Sequence, residues 1–152
     1  TLYAHFPDER SLLLACSGLT AERDPLPDAA PWRAIADPGH RLRVGLRALY
    51  DWYGRNAERA ACILRDAEVH ALTKEISQMR MGPFMRAYRE VLGDGRDATQ
   101  RAMLGLMLGF HAWRALAREN GLEQAASVEA AARAVEAAAE RPMRSLPEAA
   151  RG

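Results

Sequence analysis

Residues 38–56 read Pro-Gly-His-Arg-Leu-Arg-Val-Gly-Leu-Arg-Ala-Leu-Tyr-Asp-Trp-Tyr-Gly-Arg-Asn. Leu42, Leu46, Leu49, Tyr50 and Tyr53 fall at i, i+4, i+7, i+8 and i+11, one continuous face of a helix. Arg41, Arg43, Arg47 and Asp51 fall off that face and are expected to be solvated. A proline sits at the start, where its missing N–H costs nothing. The stretch predicts a long amphipathic helix ending near Asn56.

The same periodicity recurs on both sides. Asp8 is a helix cap with Glu9 in the first turn, followed by an apolar stripe of Leu12, Leu13, Cys16 and Leu19 that closes at Gly18. Asp24 to Pro38 carries four prolines and three aspartates and reads as an extended loop, with Trp32 as its anchor to the core. Glu58 to Ala71 is a shorter helix. Thr73 to Leu92 is another, with a kink or break expected at Gly82-Pro83. Arg96 to Asn120 is apolar nearly all round, which demands burial on more than one side. Glu123 to Glu140 is alanine-rich and ends before Pro142. No alternating β-branched run argues for a strand, so the expected fold class is all-α.

The 152 residues contain 21 Lys+Arg and 20 Asp+Glu, a formal net charge of +1. That balance leaves no basic footprint for bulk nucleic-acid or membrane binding. Cys16 and Cys62 read as reduced thiols buried on apolar faces of a cytoplasmic protein. No His-Glu-x-x-His, Cys-x-x-Cys or glycine-rich phosphate loop occurs, and His5, His40, His70 and His111 are scattered. No catalytic activity, metal or cofactor is therefore expected.

The N-terminus reads Thr1-Leu2-Tyr3-Ala4-His5-Phe6-Pro7-Asp8-Glu9-Arg10-Ser11-Leu12-Leu13. This resembles the stretch that closes the helix-turn-helix of TetR-family transcription regulators and opens the next helix. Tyr3, His5, Phe6, Pro7 and Leu12 carry the resemblance. Glu9 stands where the family has a lysine that meets DNA phosphate, which leaves Arg10 as the substitute. The resemblance implies a bacterial, ligand-responsive DNA-binding regulator acting as a homodimer, most often a repressor released from its operator. It also implies that the rest of the DNA reader lies upstream. Residues 1–7 would end that reader, residues 8–141 would form the ligand-binding and dimerisation domain, and residues 142–152 would be a disordered tail. Thr1, Tyr3 and His5 are the expected DNA contacts, chiefly to phosphate, and Phe6 packs the reader on the following helix. The TetR-like bundle would pair its last two helices with those of a second subunit.

Two further expectations rest on side-chain types. Gly105 and Gly109, flanked by Ala102 and Leu106, join Val128, Ala131, Ala132 and Val135 in a small-residue surface suited to a four-helix dimer interface. Soft and aromatic residues of the middle helices predict an apolar ligand pocket: Trp52, Tyr53, Met79, Phe84, Tyr88, Met107, Phe110 and Trp113, with Met81, Met85 and Met103 as gap-fillers. His70 and His111 would orient the ligand, with Arg65 and Asp66 behind them. The ligand would be a small hydrophobic or aromatic molecule, and Gly82-Pro83 is where movement is expected. A helical protein-interaction module, with neither ligand nor DNA, is the alternative.

Overall fold

The computed structural model describes residues 7–139, and every regular element among them is helical. The expected DNA contacts Thr1, Tyr3 and His5, with Phe6, and the tail beyond Ala139 lie outside the described residues.

Helix α1 (Glu9–Arg23) starts as expected: Asp8 is extended and its carboxylate accepts from the Ser11 N–H at 2.7 Å. It runs past Gly18 to Arg23, and none of its residues is buried. Residues 24–37 cross the surface with one 3₁₀ turn (Ala30–Ala34), and Trp32 anchors them by packing 5.2 Å from Tyr88.

Helix α2 (Pro38–Val69) is the central element, and α3 (Ala71–Leu92) and α6 (Gln124–Ala137) both pack along it. Leu42, Leu46, Leu49, Tyr50 and Tyr53 are all 0–2% exposed, so the diagnostic row is the core. The two helices expected on either side of Asn56 are joined through a kink there (φ −114°, ψ 16°). Helix α3 runs straight through Pro83 with no break. Pro83 is exposed, so the one carbonyl it leaves unpaired faces the wet side of the helix.

The apolar segment after Arg96 is not one helix. It comprises α4 (Ala98–Met107), a break at Leu108-Gly109, α5 (Phe110–Arg114) and a π turn (Ala115–Glu119). Gly109 is extended (φ −75°, ψ 144°), which frees the carbonyls of Met107 and Leu108 from the helical ladder. Two buried hydroxyls of α2 take them: Tyr50 donates to Met107 O at 2.9 Å and Tyr53 to Leu108 O at 2.8 Å. Burial pushes both phenols up from their ordinary value, so they stay neutral donors.

Helix α6 differs from expectation in the side it buries. Val128, Ala131, Ala132 and Val135 are 0–2% exposed and belong to the chain's own core, facing α2 and α4. That row is therefore not available to a second subunit. Small side chains let α6 come close to α2, and burial of the row within one chain satisfies its apolar demand.

Arg43, expected to be solvated, instead clamps α6. Its guanidinium donates to Glu129 at 2.8 and 3.1 Å and to Glu136 at 2.7 and 3.1 Å. Hydrogen bonds from Arg43 and Arg133 hold the Glu129 carboxyl at about 2, below its ordinary 4.5. A depressed carboxyl stabilises the fold above its unfolded value and loses that contribution as pH falls. Arg43→Met is thus expected to flatten the decline in melting temperature between pH about 4.5 and about 2. Melts across that window check this, and an unchanged slope would show that the clamp adds nothing.

Candidate functional site

Helices α1, α2 and α3 do not close on one another. A cavity of about 1190 Å³ lies between them and extends to the α4–α5 break. Its walls are mostly carbon. Leu13 comes from α1, Ile63 and Leu64 from the outer half of α2, and Ile76, Met81 and Met85 from α3. At this volume it lies somewhat above the roughly 300–1,000 Å³ common for small-molecule sites.

Of the expected pocket residues, the fold brings Trp52, Tyr53, Met79, Phe84, Phe110 and His111 to this cavity. The other four lie elsewhere. His70 is the N-cap of α3: its Nδ1 accepts from the Thr73 N–H at 3.3 Å, and its Nε2 lies 3.5 Å from Glu9. Tyr88 is buried beside Trp32, and its hydroxyl donates to Pro27 O at 2.6 Å, fixing the 24–37 loop. The Met107 side chain packs on the core while its carbonyl serves Tyr50. Trp113 is core, grouped with Tyr53 and Phe110 and covered by the Arg118 guanidinium 5.6 Å from its ring. Arg65 and Asp66 do not back the histidines; they pair with each other on an exposed face.

Other assignments also change. Gly105 and Gly109 line the cavity, whereas Ala102 and Leu106 point outward, Leu106 being 59% exposed. Both cysteines are exposed rather than buried. Cys16 lies on the cavity wall, and Cys62 faces out beside Arg65 and Asp66.

Apart from His111, the polar residues of the site were not singled out by the sequence pattern. Asp24 is the main one. It follows α1, and its carboxylate accepts from Arg55 at 3.1 and 3.2 Å and from Asn56 at 2.7 Å. Those bonds, Arg55 first, hold its carboxyl below the usual range. Its backbone carbonyl accepts from the Trp52 indole at 2.9 Å. The end of α1 is thereby tied to the α2 kink, since Asn56 also donates to Trp52 O at 2.9 Å. The rest of α1 sits on α3 through polar contacts: Arg10 to Glu75 at 2.6 and 3.1 Å, and Arg80 to Leu14 O at 3.1 Å and Ser17 at 3.3 Å.

On the outer side of the kink, a polar hollow of about 420 Å³ is lined by Arg55, Asn56, Glu58, Arg59 and Arg118. Among the described residues no group of His, Cys, Asp or Glu is placed to hold a metal ion. No helix among them is long and apolar enough to cross a membrane. No family model, curated protein or solved structure matches the chain.

Proposed function

We propose that this chain is the effector-binding part of a ligand-responsive, DNA-binding transcription regulator of the bacterial cytoplasm, a repressor released from its operator by a small, largely apolar effector. The observation that carries the proposal is the position of the cavity. One of its walls is α1, the helix that directly follows the Thr1–Phe6 stretch resembling the end of a DNA-reading helix. Helix α1 buries no residue and is seated on α3 by polar contacts, so its position is inexpensive to change. An effector that fills the cavity better in one seating of α1 than in another shifts the population between them. The Asp24 clamp passes that shift into the α2 kink.

Two readers must be held at fixed spacing to recognise a two-fold operator. In this reading the pairing surface is the outward side of α4 and α6, where Ala102 and Leu106 are exposed, not the buried row of α6.

The test is a footprint of the full-length protein on the DNA flanking its own gene, over a salt series. A two-fold-symmetric protected site is expected, weakening with salt as phosphate contacts are screened. No protection at low salt would overturn the regulator reading.

A further inference from the structure

Resting on the effector-cavity reading, we propose that the effector is an amphipathic carboxylate, an apolar body whose single anionic head is held by Arg86 and Arg89. The apolar walls account for the body. The head follows from the charges, which are one-sided. Arg59, Arg80, Arg86 and Arg89 all line the cavity, against one carboxylate, Asp24. Asp24 is already engaged by Arg55 and Asn56. The acids of α3 are also taken, Glu75 by Arg10 and Glu90 by Arg33. Arg80 is bound to neutral oxygens of Ser17 and Leu14.

Arg59, Arg86 and Arg89 are the three left over, and of these Arg86 and Arg89 stand together on one helix. Neither of these two side chains makes a hydrogen bond or ion pair among the described residues, although the structure pairs many of its other arginines. They are one turn apart on the same face of α3. Both lie along the cavity wall and run past glycines at ordinary contact distance. A Cβ on Gly82 would stand 3.4 Å from an Arg86 terminal nitrogen, and one on Gly105 would stand 3.8 Å from Arg89 Nε. Two planar forks held beside an apolar wall match a carboxylate, which accepts from guanidinium in charge-assisted pairs stronger than neutral hydrogen bonds. Both side chains are exposed, so a carboxylate held by them sits at the mouth of the cavity with its apolar body inward.

The experiment titrates the full-length protein with dodecanoate, dodecanol and dodecylammonium below their micelle concentrations, read by tryptophan fluorescence, since Trp52 is in the wall. Dodecanoate is expected to bind roughly tenfold to a hundredfold tighter than dodecanol, with dodecylammonium weakest and the advantage shrinking in high salt. The paired change Arg86→Gln, Arg89→Gln should abolish the dodecanoate-to-dodecanol ratio. Arg47→Gln, at an exposed arginine away from the cavity, should keep it. Because the readout is a ratio, a general loss of stability does not imitate the result. Equal binding of acid and alcohol, or a ratio that survives the paired change, would overturn the anionic head while leaving the apolar cavity in place. Failure of all three probes to bind would overturn both.

Discussion

Replacing Tyr53 with alanine will lower the unfolding free energy by about 3–5 kcal/mol. The ring is 2% exposed and packs against four others, with centroids 6.4 Å from Tyr50, 5.7 Å from Trp52, 5.4 Å from Phe110 and 6.0 Å from Trp113. Truncation removes those contacts and enlarges a space that is already open. Tyr53→Phe isolates the second part of the effect. It keeps the ring but strands the Leu108 carbonyl, whose partner is the hydroxyl at 2.8 Å. A buried acceptor left bare costs about 1–3 kcal/mol. Denaturant melts of the two variants separate packing from the hydrogen bond. If Tyr53→Phe matches the parent protein, the hydroxyl does not hold the α4–α5 break.

The second large effect is at Gly45, where α2 packs against Leu92 at the end of α3. A Cβ there would stand 2.7 and 2.8 Å from the two methyls of Leu92 and 3.2 Å from the Trp32 ring. Both neighbours are buried, at 2% and 5% exposure, so neither has an empty direction in which to move. Overpacking of this kind costs about 1–3 kcal/mol, and Gly45→Val is expected at the upper end with Gly45→Ala below it. Leu92→Ala, destabilising alone, should partly relieve Gly45→Ala by clearing the space. The double variant would then be less damaged than the two single effects added together. Simple additivity would show that the clash is absorbed elsewhere.

How far residues could be read from sequence depended on whether the signal was local. The Leu42–Tyr53 row, the Asp8 cap and the boundary at Asn56 rest on spacing and side-chain chemistry within one segment, and each appears in the structure. Spacing along α6 likewise marks Val128, Ala131, Ala132 and Val135 as one buried face. It does not say what lies opposite, and α2 and α4 of the same chain occupy the place reserved for a partner. Gly109 shows the reverse problem. A glycine in a run of leucine and methionine is compatible with a continuous helix, and the break there depends on hydroxyls more than fifty residues away. His70 was expected at a pocket because histidine often orients ligands, but a cap at the α2–α3 junction uses the same ring. The arginines of the cavity mouth were hidden for a simpler reason. A charged residue on an amphipathic helix looks solvated until the neighbouring element fails to close over it.

Helix α1 has no buried residue, and that sets the order in which the molecule comes apart. Its amides belong to a small cooperative unit whose opening exposes little apolar surface and leaves the Trp32–Tyr53–Trp113 core assembled. Such a unit exchanges its amide hydrogens through sub-global opening, at a free energy well below that of the whole fold. The polar contacts to α3 set that energy, so it falls with ionic strength, whereas the core's does not. The protein therefore has two stabilities: one belongs to the scaffold, and the other, smaller and salt-dependent, to the segment nearest the proposed reader.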